Sequence, residues 1–222
     1  MTRGCGPEDI RMRIRRDGVE LAAHLLLPAT GKPAAVIFVH GLGSGKDSPR
    51  NVVIAERLRD AGTAALLFDL SGHGESSSDP RGDDTAAHCD DLVAVFEWLR
   101  ACEAIDSVRI GIAGSSLGGV VALKALQQQR VSPVSLVLRA PPVGARDLEA
   151  VTVPTLVLVG SLDPLSSMFA RVQRSPRVRV MTVPGASHLF EEPGTLERAL
   201  DETVAWFRCT LAFPTMKQEA PP

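Results

Sequence analysis

Residues 114–118 read Gly114-Ser115-Ser116-Leu117-Gly118. They follow an apolar run, Val108-Arg109-Ile110-Gly111-Ile112-Ala113, that reads as a buried strand. They open a segment, Val120 to Gln129, that reads as a helix. A G-x-S-x-G pentapeptide between a strand and a helix is a nucleophile elbow. Its serine sits on a turn so tight that the hydroxyl stands clear of the sheet. The flanking glycines remove side chains that would clash with the neighbouring strand and helix. Ser116 is therefore the candidate nucleophile, and the Leu117 N–H points where an oxyanion would form.

A Gly-rich strand-to-helix turn serves any parallel sheet, so the reading depends on what surrounds it. Short β-rich apolar runs alternate with longer helical patterns along the chain, the mark of an α/β fold with a parallel sheet covered on both faces. Residues 9–17 and 19–27 read as two strands joined at Asp17-Gly18, a two-residue hairpin signal. Further strands are expected at 34–39, 63–69, 134–139, 155–159 and 178–183. Helices are expected at 49–61, 84–101 and 193–208, the last with Pro193 in its first turn. Only about fifteen residues separate the strand ending at Arg139 from the one starting at Thr155. That length holds no large cap, so the site should be open and shallow. A single domain over 9–211 is expected, with flexible tails at 1–8 and 212–222.

The chain has 222 residues, 45% hydrophobic and 23% charged, which fits one globular domain with a substantial core. A net charge of −2 gives no nucleic-acid footprint. The basic patch Arg11 to Arg16 alternates, as one solvated face of a strand does. Cys5, Cys89, Cys102 and Cys209 form no C-x-x-C pair and carry no metal or redox signature. No apolar run reaches membrane-span length, and the first residues carry no apolar signal core. A cytoplasmic location is the expectation, with a small-molecule ester or acyl substrate as partner rather than nucleic acid or membrane.

A serine hydroxyl needs a base within reach, and the base needs an orienting acid. In open parallel sheets, sites collect at the C-terminal ends of strands, and this ranks the five histidines. His188, in Pro184-Gly185-Ala186-Ser187-His188, follows the last strand and is the best base. His40 is followed at once by Gly41 and reads as loop support. His73 reads equally as a site-lining or a structural loop residue. His24 falls mid-strand and His88 on a helix. The acid is Asp163, in Val159-Gly160-Ser161-Leu162-Asp163-Pro164; its rival Asp69 also ends a strand but fits better as a cap of the Ser71–Gly74 turn. The second oxyanion donor is assigned to Leu42, in His40-Gly41-Leu42-Gly43.

Two lookalikes fail. Gly41-Leu42-Gly43-Ser44-Gly45-Lys46-Asp47 suggests a phosphate loop, but that loop needs Gly where His40 stands and Ser or Thr where Asp47 stands. Gly111 to Gly118 lacks the G-x-G-x-x-G spacing of a dinucleotide turn.

Together His40-Gly41-Leu42-Gly43, Asp69-Leu70-Ser71-Gly72-His73-Gly74-Glu75-Ser76, Gly114 to Gly119, Leu162-Asp163 and Ser187-His188 resemble the α/β-hydrolase superfamily over about residues 10–210. Ser48-Pro49-Arg50-Asn51 and His188-Leu189-Phe190-Glu191-Glu192-Pro193-Gly194 are similar to its small, capless dienelactone-hydrolase-like and acyl-esterase-like members. True dienelactone hydrolases use a cysteine nucleophile where this chain has Ser116, which speaks against dienelactone as substrate. The resemblance implies an eight-stranded, mostly parallel sheet whose second strand is antiparallel. It also implies a Ser116–Asp163–His188 triad cleaving carboxylic esters or thioesters without metal or organic cofactor. An amidase or peptidase on the same triad, or a receptor-like or scaffold protein with little turnover, are the alternatives. Pro141, Pro142, Val143, Leu165, Met168, Leu189 and Phe190 are the candidates for an apolar acyl pocket.

Overall fold

The computed structural model describes residues 8–29, 31–82, 84–169 and 175–212. The expected tails therefore fall largely outside the described residues, except that Glu8 already belongs to the first strand. The chain runs β1 (Glu8–Arg16), β2 (Val19–Leu27), β3 (Ala35–Val39), α1 (Pro49–Asp60), β4 (Ala64–Phe68) and α2 (Thr85–Arg100). It continues through β5 (Ile110–Ser115), α3 (Leu117–Gln127), β6 (Ser135–Arg139), α4 (Ala145–Glu149), β7 (Thr155–Gly160), β8 (Val178–Val183) and α5 (Thr195–Thr210). The eight strands form one sheet in the order β1-β2-β4-β3-β5-β6-β7-β8. β2 is antiparallel to both β1 and β4, and the remaining pairs are parallel.

The hairpin signal is obeyed: Asp17 and Gly18 both have positive φ, 44° and 80°, and Arg16 pairs Val19. A turn of that hand matches the strand twist, which is why Asp-Gly is favoured there.

Strand alternation divides the core. Ile37, Val39, Leu66, Phe68, Leu136 and Leu138 point to one face, under Leu92, Val95 and Phe96 of α2 and Val121, Ala122 and Leu123 of α3. Val36, Phe38, Leu67, Val137, Leu156 and Leu158 point to the other, under Ile54, Ala55 and Leu58 of α1 and Ala199, Leu200 and Phe207 of α5. Because α1 follows β3 onto one face and α3 follows β5 onto the other, the exits of these adjacent strands diverge. The crevice they leave at the C-terminal edge of the sheet is where ligands bind in such folds.

The expected start of the last helix is corrected, and two short helical segments are added. α5 begins at Thr195, not Pro193, because Gly194 is left-handed (φ 77°) and places Pro193 outside the helix. The link after Arg139 contains the five-residue helix α4, and a 3₁₀ segment, Pro164–Phe169, follows β7. Neither is long enough to show a period in sequence.

Candidate active site

Ser116 occupies the turn between β5 and α3 with φ 49° and ψ −116°. A non-glycine residue there is strained, and the surrounding chain must hold it. A Cβ on Gly114 would lie 2.6 Å from the Gly118 oxygen, and one on Gly118 would lie 2.1 Å from the Val39 oxygen. Both glycines are thus dictated by close backbone approach. Leu117 is the first residue of α3, so its N–H has no carbonyl partner within the helix.

Asp163 and His188 come from the loops after β7 and β8. Those loops are clipped together: Ser161 N–H donates to the Val183 oxygen at 3.0 Å, Leu162 N–H to the Ala186 oxygen at 2.9 Å, and Gly185 N–H to Ser161 Oγ at 2.8 Å. Glu192 accepts the Ser187 N–H at 2.9 Å, a bond that holds its carboxyl below the usual range. His188 Nδ1–H donates to Asp163 Oδ2 at 2.8 Å, and Ser116 Oγ–H donates to His188 Nε2 at 3.3 Å. The Asp163 side chain is fully buried, and its second oxygen accepts the Leu165 N–H at 2.9 Å. This is a continuous proton path from a hydroxyl to a neutral imidazole to a buried carboxylate. Such a path lets a serine attack a carbonyl near neutral pH.

The rival carboxylate is committed elsewhere. Asp69 accepts the Lys46 N–H at 2.6 Å and the Glu75 N–H at 2.9 Å, and meets Lys46 Nζ at 3.3 Å. Burial works against charge on Lys46, but its bonds to Asp47 and Glu75, with Asp69 beside it, hold its ammonium above the ordinary range. That lysine is neutralised by three carboxylates, so the lookalike phosphate loop has no free cation to offer. His40 Nδ1–H donates to the Gly41 oxygen at 2.8 Å, and its Nε2 accepts the Leu70 N–H at 3.0 Å. Burial pushes its pKa down, and both ring nitrogens are used to hold loops. His73 lies between His40 and His88 in tilted and edge-on contacts, with ring centroids 5.2 and 5.5 Å apart. Cys89, Cys102 and Cys209 are free thiols; Cys5 lies outside the described residues.

An open cavity of about 170 Å³ lies beside Ser116. That is below the roughly 300–1,000 Å³ usual for sites enclosing a drug-sized ligand, in keeping with an uncapped site. Gly41, Leu42, Ser48, Arg50, Asn51, Ser115, Arg139, His188 and Leu189 are on its wall. Leu42, assigned as oxyanion donor, stands there 75% exposed. Of the expected pocket residues Leu189 lines this cavity. Pro141 packs against Gly119, Val143 is buried in the core, Leu165 packs on that core, and Met168 is exposed; none of the four lines it. Phe190 is buried under the opposite face. The sequence reading missed Arg139 and gave Arg50 and Asn51 no role. The available signal was an arginine ending the otherwise apolar strand Ser135-Leu136-Val137-Leu138-Arg139, at the edge where sites form.

Residues 31–148 match the Hydrolase_4 family, described as serine aminopeptidase S33. The chain belongs to the α/β-hydrolase superfamily. This α/β-hydrolase superposes on a dienelactone hydrolase from Anabaena variabilis with TM-score 0.80 and 30% identity, covering 92% of this chain and 99% of that one. A serine hydrolase without lid from Xanthomonas campestris matches with TM-score 0.72 and 25% identity, covering 97% of each. A Mycobacterium tuberculosis protein provisionally named as a phosphoribosyl transferase is 35% identical over 212 residues, covering 93% of this chain but 47% of its own length. The α/β-hydrolase thus spans about half the length of that curated relative. Among the described residues, no helix is long and apolar enough to cross a membrane.

Proposed function

We propose that the chain is a serine hydrolase of carboxylic esters or thioesters, working through an acyl-enzyme on Ser116. The observation that carries this reading is the Ser116–His188–Asp163 relay, at 3.3 and 2.8 Å, on a strained elbow. His188 Nε2 takes the Ser116 proton as Oγ attacks the carbonyl. The Leu117 and Leu42 N–H groups stabilise the tetrahedral oxyanion; such donors are worth about 10²–10³ in rate each. His188 then protonates the leaving group and activates the water that releases the acid. Asp163 stays ionised and fixes the imidazole tautomer. The scheme uses only these groups and water.

The aminopeptidase description of the family supplies a second reading. An aminopeptidase must hold a protonated α-amine near the scissile bond, and the cavity wall places Arg50 and Arg139 there with no carboxylate among its lining residues. That charge opposes the amine, so the ester reading is favoured. The transferase name belongs to a protein about twice this length and is not carried over. Turnover of p-nitrophenyl acetate tests the proposal. Many turnovers per chain, lost on Ser116→Ala, support it; one burst and then no release supports a receptor-like protein instead.

A further inference from the structure

Arg16 and Arg139 are both withdrawn from full solvent, and they are treated differently. Arg16 is buried against two carboxylates: its Nε donates to Asp91 and its Nη2 to Asp79, each at 2.7 Å. Arg139, half-buried at the end of β6, has no carboxylate partner among the described residues. Its Nη2 donates to Asn51 Oδ1 at 2.8 Å and to Ser115 Oγ at 2.7 Å, both neutral acceptors. Those two bonds use both hydrogens on Nη2, and Nε and Nη1 have no partner among the described residues. Neither is among the buried unpartnered atoms, and Arg139 is one of the residues on the cavity wall.

The neighbouring charge that bears on Arg139 is positive. Arg50 is on the same wall, and its partner Glu191 reaches it only at 3.7 Å from a 65% exposed position. Asp163 is committed to His188 and to the Leu165 N–H. Burial, with Arg50 nearby, pushes the Arg139 guanidinium down to about 10, the direction expected of a cation lacking an anion. It remains charged at neutral pH. Withdrawing a guanidinium from water without a counter-ion is costly, and its bonds to two neutral acceptors, Asn51 and Ser115, repay only part of that cost. An anion that arrives with the substrate removes it.

Resting on the ester-hydrolase reading, we infer that the cavity beside Ser116 selects short esters bearing a free carboxylate a few bonds from the scissile carbonyl. The carboxylate binds to Arg139, through Nε or Nη1, and to Arg50. Ser115 and Asn51 are positioning residues that aim the guanidinium.

The test compares monomethyl succinate with methyl 4-oxopentanoate, in which a methyl ketone replaces the carboxylate, by methanol release. A charged hydrogen bond is worth enough for a preference of about tenfold or more in kcat/KM for the anion. Arg139→Gln should bring the ratio of the two esters near one, and Arg50→Gln should reduce it. A purely structural arginine would lower both esters together and leave the ratio unchanged. A wild-type ratio of one or less, or a ratio that survives both substitutions, overturns the inference and leaves the hydrolase reading intact. If neither ester is turned over while p-nitrophenyl acetate is, the hydrolase reading stands; if p-nitrophenyl acetate is not turned over either, that reading fails. Anion binding is then decided by calorimetric titration of Ser116→Ala with monomethyl succinate. Saturable binding weakened by adding Arg139→Gln supports the cationic subsite, and its absence overturns it.

Discussion

His40 and Asp69 follow β3 and β4; Asp163 and His188 follow β7 and β8. Both sets stand on the C-terminal edge of the same sheet, and both aspartates are nearly inaccessible, at 1% and 2% exposure. They differ in where their hydrogen bonds go. Around Asp69 and His40 the donors are mostly backbone: Lys46, Glu75 and Leu70 N–H groups occupy the carboxylate and the ring. Around Asp163 one oxygen takes a backbone N–H, and the other takes His188, whose far nitrogen is left for Ser116. The histidines differ in burial, His40 at 1% and the His188 side chain at 35% exposure, but the two aspartates are alike in type and burial, so neither property of the carboxylate separates a proton relay from a loop clamp. The identity of the second partner does.

The largest expected effect is on the relay side. Asp163→Asn should lower kcat on p-nitrophenyl acetate by about 10⁴, because the imidazole loses its tautomer. Asp69→Asn should leave kcat within about tenfold while destabilising the fold by roughly 1–3 kcal/mol, since the amide nitrogen cannot accept one of the two backbone N–H bonds, from Lys46 and Glu75, that the buried carboxylate holds; urea denaturation measures this. If Asp69→Asn were the crippling change, the two regions would exchange roles.

A smaller effect sharpens the clamp side. Burial holds the folded-state pKa of His40 below its ordinary value near 6.5. The unfolded chain therefore binds the proton first as pH falls. The stabilising contribution is complete above about pH 6.5 and is lost below it, toward the folded-state pKa. Unfolding midpoints measured across that window should fall with pH, and His40→Gln should flatten part of the slope. A slope unchanged by the substitution would mean that other groups set it.

The sequence showed one of these two regions better than the other. The elbow could be read because its glycines recur at the fixed G-x-S-x-G spacing, although the backbone that demands Gly118 is that of Val39 at the end of β3. The order Ser116, Asp163, His188 could be read because each follows a strand, and strand periodicity is a local signal. Asp69 could be set aside because a turn follows it directly. Arg139 offered only its place at the end of a strand. Its meaning depends on Asn51, 88 residues earlier, and on the carboxylate that is missing beside it; only folding brings these facts together. Most of the apolar pocket candidates, Leu189 excepted, lie off the cavity for a related reason. Val143 and Phe190 are apolar residues near strand ends, but the chain turns them into the two cores, which pattern alone does not distinguish from a site wall.

The central claim, that Ser116 is the nucleophile, is tested most directly by covalent labelling. The protein is treated with an alkyl fluorophosphonate, digested with trypsin and mapped by mass spectrometry. A single adduct on Ser116 within the peptide Ile110–Lys124, absent from Ser116→Ala, is the expected result. Labelling that persists in Ser116→Ala, or ester turnover by that variant at the wild-type rate, would contradict it.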